Sequence, residues 1–231
     1  MKHLLNHLIF IHLTTKKTMK KIFLIISIIT ISFSSFSQDN VYINKPDGFI
    51  SFGFAPAWGI GNLGDFVSNG SYRGFFFEGK KFVSDNVAVG GYFSWSGFYE
   101  VKDRGTFNFE DDPRFEASGA ITGNLSNYYY NFPILVSFSY YPKPEYWIKP
   151  FIALNTGTVY NKLKSYIGTV GLVSETWQFQ VAPELGIFIP FGKDAEGGMH
   201  LAGRYNYITY QKYKFNGVQY MQLNIGISWL L

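Results

Sequence analysis

The 231-residue chain is long enough for one domain plus processing segments. Its 20% aromatic and 16% charged content, at a mean hydropathy of +0.01, excludes both a bundle of membrane helices and an ordinary charged soluble domain. The absence of cysteine excludes disulfides, a thiolate metal site and a lipoprotein anchor. The net charge of +4 is local: Lys2, Lys16, Lys17, Lys20 and Lys21 lie in the first 37 positions with no acid, and removing those five from 20 leaves 15 basic against 16 acidic residues. No basic surface for nucleic acid is expected.

Met19-Lys20-Lys21, the apolar run Ile22–Ile31 and the small residues up to Ser37 read as a cleaved signal peptide over 19–37, with the mature chain starting near Gln38. The apolar run is shorter than the roughly 20 residues a membrane helix needs. Residues 1–18 read as an over-extended N-terminus ahead of Met19, and 38–47 as a short periplasmic tail.

From there the pattern has period two, the signature of strands with one apolar face. Phe49–Ile60 sets Ile50, Phe52, Phe54, Trp58 and Ile60 against Ser51, Gly53, Ala55, Ala57 and Gly59, and Pro56 marks a bulge or bend. A polar, glycine-rich loop, 61–71, follows. Tyr72–Val83 and Val87–Tyr99 are joined by the tight turn Ser84-Asp85-Asn86, and 100–127 reads as a long polar loop. Tyr128–Tyr141, Trp147–Asn161, Thr176–Pro190 and Met199–Tyr210 continue the series, with a loop at Lys162–Glu175 and polar turns between the others.

The eighth strand is the most regular. Met221, Leu223, Ile225, Ile227, Trp229 and Leu231 share one face; Tyr220, Gln222, Asn224, Gly226 and Ser228 share the other, which carries no charge. An unbroken apolar face opposite a small, amide-rich one suits the wall of a narrow transmembrane barrel. Eight such strands predict an all-β, eight-stranded antiparallel up-and-down barrel over 48–231. Connections alternate between long or polar and short, as outside loops and periplasmic turns do. Tyr and Trp cluster near strand ends, as in the girdles at lipid interfaces.

Asn224, Gly226, Trp229 and Leu231 resemble the terminal assembly signal of bacterial outer-membrane barrels, although the family usually ends in Phe or Trp. Phe82–Gly91 and Ile148–Ile152 resemble segments that recur in the small outer-membrane β-barrel domain family, the OmpX-like, OmpA-barrel-like and opacity-like porin-family proteins of Gram-negative bacteria. The resemblance implies outer-membrane localisation, contact with lipid and lipopolysaccharide, and insertion by the barrel-assembly machinery.

Strand phase turns Glu78, Lys80, Glu184 and Arg204 into the lumen, together with Gln178, Gln180, His200, Asn206, Gln222 and Asn224. Buried charges must pair, so Glu184 is expected to meet Arg204, and Glu78 and Lys80, two apart on one face, are expected to join that network, closing the barrel. His200 has Ala202, not serine, two residues on. No nucleophile–base–acid set and no metal-ligand spacing is present, so neither catalysis nor a cofactor is expected. The leading expectation is a structural or surface-interaction role through outside loops, above all 100–127. A narrow channel and a secreted lipocalin-like carrier of small apolar ligands are the alternatives.

Overall fold

The computed structural model describes residues 47–108, 119–142, 148–168, 170–192, 196–210 and 216–231. The expected signal peptide 19–37, the stretch 1–18, almost all of the expected tail 38–47 and the acidic run Glu110-Asp111-Asp112 lie outside them. The elements in chain order are β1 (Gly48–Phe54), β2 (Ala57–Ile60), the short helix α1 (Asn62–Phe66), β3 (Gly74–Phe82), β4 (Val87–Asn108), β5 (Ala120–Tyr140), β6 (Lys149–Ile167), β7 (Val170–Pro190), β8 (Gly197–Ile208) and β9 (Val218–Leu230).

β1 pairs antiparallel with β3, each strand from β3 to β8 pairs antiparallel with the next, and β9 returns to pair with both β1 and β2. β1 and β2 form a single stave, so the ring has eight staves and no free edge at its waist. Pro56 interrupts that stave without changing register: Phe54 faces Ile225 and Ala57 faces Gln222. Proline lacks the N–H that the ladder needs, but its carbonyl still accepts from Leu223 N at 2.9 Å. The expected bulge is therefore only a gap.

The outer face is apolar all round. Phe52, Phe77, Ile134, Phe138, Ile152, Leu154, Phe179, Leu185, Met221, Ile227 and Trp229 are each at least 39% exposed. A water-soluble monomer does not carry an apolar belt of that extent, whereas a barrel in lipid requires one. Phe75, Trp95, Phe132, Tyr160 and Trp177 form one cross-strand row with ring centroids 5.4–6.4 Å apart. Above it Tyr99 stacks on Tyr128 at 4.6 Å. Together they form an aromatic girdle on the side away from the N-terminus.

Two expected loops are mostly strand. β4 runs to Asn108 and β5 starts at Ala120, so 100–127 is a hairpin rather than a polar loop, with a one-residue bulge between Lys102 and Gly105. Likewise Lys162–Glu175 is the end of β6 and the start of β7 around a turn at Gly168, whose φ of 57° suits glycine. Charged residues on both faces hid the alternation there, because neither face meets lipid. Thr106 and Thr122 hydroxyls bond across the first hairpin at 2.9 Å. β4 to β7 have 22, 21, 19 and 21 residues, about twice the 9–11 that a crossing needs. β3, β8 and β9 have 9, 12 and 13. Half the ring therefore projects well beyond the girdle.

Candidate functional site: a filled lumen

Alternation sends every second side chain of the ring inward, and these fill it in three tiers. At the N-terminal end Phe49, Tyr141 and Phe151 pack with Ala88, Ala153 and Ala202, and Phe82 and Leu230 close over them. Phe49, Phe82, Tyr141 and Leu230 border a cavity of about 30 Å³, also lined by Lys149, Phe188, His200 and Ser228, which has room for one or two waters.

The middle tier holds the charges. Glu184 and Arg204 face each other across β7 and β8. Arg204 Nε donates to Glu184 Oε2 at 2.5 Å and Nη2 reaches the same oxygen. Asn224 Nδ2 donates to that carboxylate at 3.3 Å. The guanidinium lies 3.4 Å from the centre of the Tyr92 ring, a cation–π contact in a water-poor site. Gln222 Nε2 bridges the Tyr92 hydroxyl (2.7 Å) and Asn224 Oδ1 (2.6 Å). One layer towards the N-terminal end, Lys80 Nζ sits 2.8 Å from Glu78 Oε2, and His200 Nδ1 is 3.5 Å from Glu78 Oε1. Lys80 also lies 5.4 Å from the centre of the Phe151 ring.

Gln180 Nε2 donates to Asn206 Oδ1 at 2.8 Å, above the ion pairs. Gln178 bonds Thr176 instead, at 2.9 Å, and stands apart from the others. Sequence reasoning missed Tyr92, the hub between Arg204, Gln222 and Asn224, because an aromatic residue between Gly91 and Phe93 looks like lipid-facing wall. The inward phase of Phe151 and Phe188 with Ala153 and Gly186 was the available signal for the aromatic floor.

The upper tier departs most from expectation. The connection 61–71 turns into the ring instead of lying outside as a polar loop. Its Leu63, Phe66 and Val67 are buried against Phe98, Tyr129, Val159, Leu163, Ile208 and Tyr220 from five strands. The apolar spacing i, i+3, i+4 in this glycine-rich stretch is the helical signature, too brief to register beside eight strands. Polar fasteners hold the plug. Ser68 N and Oγ donate to the Glu100 carboxylate at 2.9 and 2.6 Å, Asn127 Nδ2 donates to Phe66 O at 2.8 Å, and Ser71 Oγ to Gly97 O at 2.6 Å.

Burial pushes the Glu100 carboxyl up, but the two Ser68 hydrogen bonds, with Lys102 nearby, outweigh it and hold the group below its ordinary value. A depressed carboxylate stabilises the fold above its unfolded pKa and loses that contribution as pH falls through the folded value. Hydrogen exchange at Val67, whose amide donates to Leu63 O, is therefore expected to accelerate on acidification once intrinsic rates are corrected. In Glu100→Gln that step is expected to vanish; a step of the same size there would assign it to another group.

Chemically the tiers pair charges and fill the lumen with side chains. His200 meets an acid, but the Ser228 hydroxyl on the same cavity is engaged by Ser51 at 2.6 Å. Among the described residues no three His, Asp or Glu side chains gather as metal ligands.

No protein-family model and no curated protein matches the sequence. Among solved structures the chain is similar to Neisserial surface protein A, at 12% identity over 80% of this chain and 97% of that one, with a TM-score of 0.49. It is similar to the attachment invasion locus protein Ail of Yersinia pestis, at 12% identity over 81% and 100%, TM-score 0.49. It is also similar to the N-terminal β-barrel domain of Pseudomonas aeruginosa OprF, at 10% identity over 81% and 100%, TM-score 0.41. With eight antiparallel staves closed on themselves, an apolar belt outside and paired charges within, the chain has the fold of a small outer-membrane β-barrel.

Proposed function

We propose that the protein is an integral outer-membrane barrel that acts at the cell surface, as a structural or interaction component, through its projecting β4–β5 and β6–β7 hairpins. The observation that carries this reading is the asymmetry of the ring: four strands continue past the girdle, while the lumen beneath them is filled. A surface platform explains both features, and catalysis is not part of it. Lipid and lipopolysaccharide surround the belt, and the barrel-assembly machinery reads Asn224, Gly226, Trp229 and Leu231 before β9 closes on β1. The partner is extracellular and meets the chain within 100–127.

The test has two stages. The purified outer-membrane band is expected to change mobility on a denaturing gel when boiled, as a closed barrel does. Replacing 102–125 by a tight turn is then expected to leave that shift intact while abolishing binding of cells to host or neighbour-cell surfaces. Unchanged binding would remove the hairpin from the function. A soluble periplasmic band with bound lipid would put the carrier reading first.

A further inference from the structure

We propose that the upper lumen is a binding chamber for a small uncharged amphiphile, with an apolar body and one hydrogen-bonding end, and that residues 61–71 are its displaceable occupant. Its wall is mainly apolar where the barrel's other interior tiers hold charges or an aromatic floor: Phe98, Val159, Leu163, Ile208 and the ring of Tyr129 are at most 1% exposed, and the Tyr129 hydroxyl is turned to Asn161. The space they enclose is filled not by wall residues but by Leu63, Phe66 and Val67, which belong to a connection between staves.

That connection is built to leave. Its helix has five residues, and the N-cap Gly61, at φ 55°, makes no side-chain capping bond. So short a helix has no stability of its own and keeps its form only while docked. Its polar attachments to the wall at the rim include Ser68 on Glu100, Asn127 on Phe66 O, Ser71 on Gly97 O and the paired backbone bonds of Ser71 with Ala57. Polar fasteners of this kind exchange readily with water once loosened.

The chamber floor supplies the second observation. Ser96, Asn131 and Asn161 lie side by side in register directly beneath Phe98, Tyr129 and Leu163. Ser96 Oγ and Asn161 Nδ2 are fully buried and have no hydrogen-bond partner. A buried polar atom without a partner is costly; the Tyr129 hydroxyl above donates to Asn161 Oδ1 at 2.6 Å, which leaves Asn161 Nδ2 and Ser96 Oγ still unmet. A ligand whose polar end points down between them can satisfy both, with a body of about the bulk of the three displaced side chains. Among the described residues no cation stands free to neutralise an acid there, because Arg204 is held by Glu184, so the ligand is uncharged.

The chain has no cysteine, so Val67→Cys provides a unique thiol. The variant, checked for its heat-modifiable band, is reconstituted in phosphatidylcholine vesicles and exposed to a membrane-impermeant maleimide, with 1-decanol as the probe. Labelling is expected to be slow without decanol and at least tenfold faster with it. Glu100→Gln is expected to raise the basal rate. Leu63→Cys repeats the measurement should Val67→Cys fail to fold. Ser228→Cys, at the opposite end of the lumen, is expected to stay unlabelled throughout. Slow labelling that decanol does not change makes 63–67 permanent core and overturns the proposal. Fast labelling without decanol, indifferent to its addition, shows a loop that leaves with nothing taking its place, and also overturns it. So does decanol-induced labelling of Ser228→Cys, which means the barrel itself has opened.

Discussion

Glu184→Ala is expected to destabilise the barrel by about 3–5 kcal/mol, the cost of leaving one member of a buried ion pair without its partner. It should be read as a large fall in the temperature at which the heat-modifiable band is lost. The loss is large because Arg204 cannot escape: its side chain is fully buried, with Tyr92 against one face and Glu184 on its Nε and Nη2. Arginine also cannot shed its charge as a buried lysine can. The Asn224 amide would lose its acceptor as well. Glu184→Gln keeps the shape and one carbonyl acceptor, and is expected to fall between the wild type and Glu184→Ala. The double replacement Glu184→Leu with Arg204→Leu removes both charges and is expected to recover much of the lost stability. If Glu184→Ala melted like the wild type, the middle tier would not be what holds the lumen shut. If the double variant were worse than either single one, the pair would be a net source of stability and not merely an obligatory pairing.

This pair was legible from strand phase alone, since Glu184 and Arg204 sit at matching depths in neighbouring strands of period two. So was the ring: alternation of large apolar with small residues, as in β9, suits few walls other than that of a narrow barrel in lipid. Legibility ended where the solvent changed. Above the girdle both faces of β4 and β5 meet water, the pattern Lys102-Asp103-Arg104 carries no period, and strand is indistinguishable from loop. It ended again where a side chain inside the ring is large. Tyr92, Phe151 and Phe188 obey the inward phase but not the inward size, because the small positions across from them leave the room. The plug was hidden for a different reason. Leu63, Phe66 and Val67 are buried by the ring as a whole, and no local pattern records what the far wall offers.

The proposed terminal signal can be separated into what assembly would read and what the finished wall requires, and Gly226→Val is the replacement that does so. Gly226 faces Gly53 across the closing seam of β1 and β9, and both point inward. A Cβ at Gly226 would stand 2.8 Å from the Phe52 carbonyl carbon and 2.8 Å from the tip of the Phe76 ring; one at Gly53 would stand 2.8 Å from the Ile225 carbonyl carbon. Backbone cannot give way there without parting the strands, and Phe76 is itself buried against Tyr92. Overpacking of this kind commonly costs about 1–3 kcal/mol where side chains can shift, and here the obstacle is backbone, so Gly226→Val is expected to prevent closure altogether. Gly203→Ala on β8, where an added Cβ meets nothing within 4 Å, is the matched control and is expected to be neutral. The decisive measurement is refolding of purified, denatured protein into detergent, where no assembly machinery is present. Failure there as well as in cells makes Gly226 a steric requirement of the seam. Normal refolding in detergent with failure only in cells makes it a recognition residue, and the close approach of β1 and β9 would then be an incidental feature of the wall.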